Sequence, residues 1–528
     1  MFDLLISGGL VIDGTGKKPA YRADVGVRGK QIAAVGDLST ATSARFVDAT
    51  GLIVAPGFID THAHSDGALL VDPQHENGLR QGITTEVLAP DGLSYAPLSP
   101  QNYRMYRWYL SGLLGWPPED LDMSSIEAFR SNYHLRTAVN IVAIVPHGPI
   151  RISALGFRDE PLRGEALETA KRLVREGVEQ GGRGFATGLS YFPQSYSDTH
   201  ELIELSKVAG RHGVPFIVHL RSHNTERAFG GGGMAEALEV GRRADAPVHI
   251  EHYRTEPDSA GEVDALLAEV DLAKAEGVDI TLETYPYSYG AGMVIPLLPG
   301  WIHEGGPAAL LERLGDPADR GKAVEHIERW LADRGGEDNW TYIGSLNNKP
   351  LEGMSFAAAA AARGTSVAEM IVEVIAEERL TCGRRQTQPL NVAASRQVEA
   401  DVMALLSRDD YMIGSDSIPH GAMCHPRAYG TFPRVVGRLR RRLGYPLEQV
   451  IQRLTDNPAR TFGLTKRGRV QTGYFADLVI FDDQRICDLA TFDDPCVTPA
   501  GIPFVIVNGQ TAVDHERCTG ALAGEAVP

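Results

Sequence analysis

The chain has 528 residues, of which 43% are hydrophobic, and a formal net charge of −17. That length supports one large core plus a second module. The acidic balance, broken only by the short basic run Arg438–Leu443 with its helical spacing, argues against a nucleic-acid partner and leaves that run as a solvated helix face. No stretch approaches 18 uninterrupted apolar residues, so no membrane span is expected.

The five cysteines include no Cys-x-x-Cys pair, which points to a reducing compartment, the cytoplasm, and not to a disulfide framework. Met1-Phe-Asp-Leu-Leu-Ile-Ser-Gly-Gly lacks the basic start and long apolar run of a signal peptide.

Residues 1–55 read as short strands with glycine turns. Leu4–Ile6 and Leu10–Ile12 flank Gly8-Gly9 as one hairpin. Asp24–Val27 and Gln31–Val35 flank Gly29-Lys30 as another. The same texture returns in 466–528, with Asn508-Gly509 between apolar runs. Two β-rich ends imply that the termini meet in one small β-sandwich.

Between them, residues 56–465 alternate strand-like and helical runs. The predicted strands are Gly57–Asp60, Thr84–Ala89, Val139–Val145, Gly184–Thr187, Pro215–His219, Val248–Ile250, Asp279–Glu283, Leu390–Ala394 and Tyr411–Gly414. Glu165–Gln180, His200–Arg211, Val263–Glu276 and Ala400–Leu406 are predicted helices. This alternation describes a (β/α)8 TIM barrel, with one strand candidate too many. A Pro-, Gly- and charge-rich segment at about 293–345 reads as an insertion.

Barrel chemistry collects at the C-terminal strand ends. Those ends carry His62 and His64, Asp91, His147, His219, His252 and Asp416. A lone His-x-His is commonplace on surfaces, but ligand-type side chains at successive ends of one rim describe a divalent-metal site. Zinc takes imidazole and carboxylate and keeps a position open for water. The bound water becomes hydroxide near neutral pH, and Asp416, in Gly-Ser-Asp-Ser, suits the general base and then acid.

Leu5-Ile-Ser-Gly-Gly-Leu-Val-Ile-Asp-Gly-Thr-Gly, Pro56-Gly-Phe-Ile-Asp-Thr-His-Ala-His64, Asn140–Arg151, Gly188-Leu-Ser-Tyr191, His219-Leu-Arg-Ser222, Pro247–His252, Tyr285-Pro-Tyr287 and the block Gly414-Ser-Asp-Ser-Ile-Pro-His to His425-Pro-Arg-Ala-Tyr-Gly-Thr-Phe-Pro-Arg434 follow in order. Over nearly the whole chain this sequence resembles the amidohydrolase superfamily and, within it, the N-acyl-D-amino-acid deacylases.

The resemblance implies one or two divalent ions. His62 and His64 would hold the more exposed ion, and His219 and His252 the tighter zinc. Arg427 would pair with a substrate α-carboxylate, with Arg254 standing where the family has a Lys. Tyr191 and Tyr285 would contact substrate, with His147 and His223 beside it.

Three departures stand out. Asp91, in Ala89-Pro-Asp-Gly92, replaces a family Cys ligand. His223 stands where an acid is common, and Glu251 where a Ser is common. His249, out of register with His252, reads as packing.

The expected activity is hydrolysis of the amide bond of N-acyl-D-amino acids, small molecules with a carboxylate. A cyclic-amide hydrolase of hydantoinase or dihydroorotase type, or a dipeptidase, stays open on the same scaffold, as does a metal-free assembly protein. A homo-oligomer is left open.

Overall fold

The structure, a computed structural model, describes residues 1–334, 339–386 and 391–528. Eight strand positions among them form the barrel: β1 (Phe58–Asp60), β2 (Ile83–Leu88), β3 (Asn140–Ala143, resuming at Val145–Pro146), β4 (Phe185–Gly188), β5 (Phe216–His219), β6 (Val248–Ile250), β7 (Ile280–Thr284) and β8 (Tyr411–Ile413). Each pairs in parallel with the next. β8 meets β1 through a parallel bridge between Ala63 and Ser417, and Thr61 N donates to Ile413 O at 3.4 Å. Their runs of Val, Ile, Phe and Thr are buried on both faces, as parallel strands under a helical layer must be.

The helices supply that layer. In Gly164–Glu179, Leu167, Ala170, Val174 and Gly177 are buried at helical spacing. Thr199–Arg211 starts at Asp198, whose side chain accepts from Glu201 N at 3.0 Å.

The surplus strand candidate is Leu390–Ala394. Leu390 lies outside the described residues, and Val392–Leu405 is a helix capped by Asn391. The connection from β7 to β8 is longer than the expected insertion. It builds an antiparallel sheet from Ala291–Met293, Trp340–Ser345 and Cys382–Gln386, with Cys382–Gln386 in the middle and helices between its strands.

Both termini build two further sheets. Ile53–Pro56 pairs antiparallel with Leu478–Phe481, which joins the chain ends. A separate core of Leu4, Ile6, Val25, Val27, Ile32, Leu478, Ile480 and Ile506 lies between the sheets.

The hairpins at Asp24–Gly36 and at Asn508-Gly509 form as predicted. The one at Gly8-Gly9 does not. Phe2–Ser7 pairs in one sheet with Asp24–Arg28, while Leu10–Val11 pairs in the other with Tyr21–Arg22 and Ile53–Pro56. Gly8, at φ +76°, carries the chain across between them.

The C-terminal stretch leaves the sandwich. Ile141 N donates to Glu525 O, and Val527 N to Ile141 O, so Glu525–Val527 runs along β3.

The basic run is not a free face. Arg438 pairs with Asp488, Arg440 with Asp483 and Arg442 with Glu399. Among the described residues no helix is long and apolar enough to cross a membrane.

Candidate metal centre

His62 and His64 leave β1 two residues apart and project to one side. The chain after β8 runs beside them: Asp416 N donates to His62 O at 2.8 Å, and His64 N to Ser417 O at 2.9 Å. This pairing places Asp416 Oδ1 3.3 Å from His64 Nε2 and 3.6 Å from His62 Nε2. The two histidine Nε2 atoms are 3.4 Å apart.

On the other side, His252 Nε2 faces His219 Nδ1 at 2.9 Å, and His219 Nδ1 lies 3.1 Å from Asp91 Oδ1. Asp91 stands between the groups. Its Oδ1 faces His219 and His252, and its Oδ2 lies 3.5 Å from His64 Nε2.

The donor set fits one or two divalent ions. A tetrahedral ion with imidazole and carboxylate arms of roughly 2.0–2.1 Å holds its ligand atoms roughly 3.3 Å apart. Ligand atoms of His62, His64 and Asp416 lie within 4.8 Å of one another, as do those of His62, Asp91 and His252. His219 joins the second group through Asp91 and His252.

Asp91, His252 and Asp416 all sit at positive φ, +57°, +35° and +53°. Such backbone costs about 1–3 kcal/mol per residue and gathers at functional sites.

The electrostatics favour a cation. Burial alone would lower His64, but Asp416 and Asp91 raise it to about 9. Burial works against the charge of Asp91, yet His219 and its neighbours hold the carboxyl well below the usual range. For Asp416, burial is outweighed by Arg427 and His62, and the group stays ionised.

Supporting carboxylates orient the rings. His62 Nδ1 bonds Glu283 Oε1 at 2.6 Å, which turns Nε2 toward the cluster, the carboxylate–histidine–metal arrangement. Glu283 also accepts from Thr61 Oγ1 and lies 3.4 Å from His249 Nε2. Glu251 accepts from Asp91 N at 2.9 Å; burial, then the charges of Asp91 and Glu283, raise its carboxyl well above the usual range.

The sequence reading gives Glu283 and Thr61 no role at the site. The available signal was an acid at the end of an apolar strand, because buried Glu is rare without a partner.

A cavity of about 550 Å³ opens beside His219, between Tyr191 and His223 on the barrel and Trp330, Trp340 and Arg384 on the insertion. The Tyr191 ring lies 5.1 Å from that of His219, and His223 lies 5.8 Å from Phe192. Arg427 and Arg254 both lie over the Tyr285 ring, at 4.8 and 4.6 Å, and Arg254 Nη2 donates to Tyr285 Oη at 3.1 Å.

Arg427 is fully buried, with Nη1 2.9 Å from Asp416 Oδ2 as an ion pair. Its Nε and Nη1 and the Nε of Arg254 donate no hydrogen bond within the described residues. Gly290 lies on the cavity wall, where a Cβ would come within 3.0 Å of Tyr285 Oη and 3.3 Å of Arg427 Nη1.

His147 is elsewhere. It opens the helix His147–Leu155, with Nδ1 on Thr187 Oγ1 and Nε2 on Glu201 Oε1, both at 2.8 Å. The structure does not bring it to the metal cluster or to the cavity.

Parallel strands, a rim of imidazoles and carboxylates, and a sandwich from both chain ends define a metal-dependent barrel hydrolase. The family profile described as the amidohydrolase family matches residues 45–513. The chain is 33% identical to D-aminoacylase of Alcaligenes xylosoxydans xylosoxydans, covering 100% of this chain and 97% of that one. It is 35% identical to N-acyl-D-glutamate deacylase of the same organism, covering 96% and 93%.

The solved structure of N-acyl-D-glutamate deacylase from Bordetella bronchiseptica, with zinc and a phosphonate mimic of the tetrahedral intermediate, superposes with a TM-score of 0.81 at 29% identity, covering 100% of this chain and 99% of that one. The chain therefore belongs to the amidohydrolase family.

Proposed function

We propose that this protein hydrolyses the amide bond of N-acyl-D-amino acids. The observation that supports this best is the pair of buried arginines on Tyr285. Arg427 pairs with Asp416 and Arg254 with Glu256 at 3.1 Å, yet each keeps buried N–H donors without a hydrogen-bond partner, which a further anion over Tyr285 would use. A substrate α-carboxylate held there lies one short step from the cluster. The likeness to deacylases acting on N-acyl-D-glutamate and similar compounds supports the same class.

A divalent ion, zinc in the related structure, supplies Lewis acidity that polarises the acyl carbonyl and acidifies water when bound. His62, His64, Asp91, His219 and His252 would hold it. Asp416 takes the proton of the attacking water and passes it to the leaving nitrogen.

The ion pair with Arg427 makes Asp416 a weak base but a strong acid once protonated, which suits the second half of that task. Arg427 and Arg254 fix the carboxylate, and Tyr191 and His223 wall the space beside it. With carboxylate and acyl carbonyl fixed, the side chain has one direction left, which selects one enantiomer. The five free cysteines support a reducing compartment such as the cytoplasm.

The test compares N-acetyl-D- and N-acetyl-L-amino acids, and each free acid with its ester. The D free acid is expected to be cleaved in strong preference. Arg427→Met also loosens the Asp416 ion pair for every substrate, so the readout is the ratio: the free acid is expected to lose roughly 10–150-fold more in kcat/KM than its ester, the worth of a charge-assisted hydrogen bond of about 1.5–3 kcal/mol. Equal D and L rates, or preference for a neutral cyclic amide, would replace this reading with a hydantoinase-type one.

A further inference from the structure

Two thiols outside the metal centre stand next to each other. Cys424 Sγ and Cys496 Sγ are 3.7 Å apart across 72 residues of sequence. Cys424 lies in the loop between β8 and the helix Arg427–Pro433, three residues before Arg427. Cys496 lies in the connection between Leu478–Phe481 and Phe504–Val507.

Arg385 ties the two loops together, donating from Nη1 to Cys424 O and from Nη2 to Phe492 O, each at 2.6 Å. Cys424 is buried and Cys496 is exposed. A disulfide bond of about 2.05 Å needs the sulfurs to close by less than 2 Å.

We propose that Cys424 and Cys496 form a reversible dithiol–disulfide pair that responds to peroxide and acts on the loop carrying Arg427. The exposed partner is the better nucleophile. Hydrogen bonding from Cys424, and against burial from Tyr429, lowers the Cys496 thiol to about 7. Burial raises Cys382 and Cys518.

In the first step Cys496 thiolate attacks one oxygen of hydrogen peroxide, the O–O bond breaks, and hydroxide leaves a sulfenic acid. Cys424 sulfur then attacks the sulfenic sulfur, the S–S bond forms, and the oxygen departs as water with the thiol proton. In total, two thiols and one peroxide give one disulfide and two waters.

The link to Arg427 is short. His425 packs edge-on against Tyr287 and Phe492, with ring centres 5.2 and 5.1 Å away, and its Nδ1 accepts from Arg427 N at 3.1 Å. Drawing Cys424 toward Cys496 pulls on this turn. This consequence rests on the proposed role of Arg427; the disulfide itself does not.

The experiment treats the metal-loaded full chain with hydrogen peroxide, then denatures it, alkylates the remaining thiols and maps the peptides. Reactive thiols are expected to fall from the five of the sequence by the two of this pair. One crosslinked peptide pair joins 424 to 496, a phosphine reductant reverses it, and Cys496→Ser, at an exposed position, never forms it. Cys487→Ser still does.

The oxidised protein is expected to show a raised KM for the free acid and an unchanged one for its ester. An unchanged thiol count, another pairing, or Cys496 oxidised with Cys424 still alkylated overturns the pair. A crosslink with unchanged KM overturns its action on Arg427.

Discussion

Two of the buried histidine–carboxylate clusters among the described residues, the one at the rim and the one around His147, differ in what their atoms face. Around His147 both ring nitrogens and both oxygens of the facing carboxylate have protein partners. Nδ1 meets Thr187 and Nε2 meets Glu201, while Glu201 is closed off by Arg151 Nη1 at 2.6 Å and Leu162 N at 2.7 Å. At the rim the acceptor atoms face one another: His62 Nε2 faces His64 Nε2, His252 Nε2 faces His219 Nδ1, and both oxygens of Asp91 face imidazoles. Ligand atoms left pointing into one space distinguish a cation site from a satisfied core network. Residue type and burial do not.

If that distinction holds, the largest effect comes from removing Asp91, whose carboxylate faces both histidine groups. Asp91→Ala, or His219→Ala, is expected to lose bound metal and activity together, read by elemental analysis of the purified protein alongside turnover. Either variant keeping full metal and full rate would end the assignment of Asp91 and His219 as ligands.

Asp416 sharpens the comparison by separating metal binding from proton transfer. Asp416→Asn keeps size and removes the proton carrier, and kcat is expected to fall roughly 10²–10⁴-fold. An ion on the proposed ligands Asp91, His219 and His252 is expected to stay bound, so elemental analysis should still find metal. Near-normal kcat would take Asp416 out of the mechanism.

Sequence patterning made the barrel and the rim legible, because buried parallel strands read as apolar runs and the rim follows the strand ends. His62, His64, Asp91, His219, His252 and Asp416 all lie in the cluster. His147 does follow the strand end, but it faces away from the cluster and the cavity. β3 is interrupted at Ile144, its first half pairing with β2 and its second with β4, and His147, just past its end, opens a helix whose packing turns both ring nitrogens onto Thr187 and Glu201.

Glu283 was passed over because its role is to orient His62, a contact across 221 residues that no local pattern encodes. The cavity wall from Trp330, Trp340 and Arg384 was equally hidden, since the insertion folds back over the barrel by long-range antiparallel pairing.

The smallest expected effect on chemistry, and the sharpest contrast, comes from the His147 cluster. Burial opposes the charge of Glu201, but Arg151 and His147 outweigh it and lower the carboxyl to about 2. Its unfolded counterpart titrates near 4.3, so the folded state binds the proton less readily. The carboxylate therefore contributes stability above the unfolded value, roughly 3 kcal/mol near neutrality, and that contribution is lost as pH falls from about 4.5 toward 2.

Glu201→Gln leaves Arg151 buried without a counter-charge, a defect that costs about 3–5 kcal/mol. The variant is expected to melt at lower temperature, with a flatter dependence of stability on pH below 4.5, while its metal content per folded chain stays that of the parent. Metal lost from Glu201→Gln with an unchanged melting temperature would place His147 and Glu201 in the metal centre and erase the distinction between the two clusters.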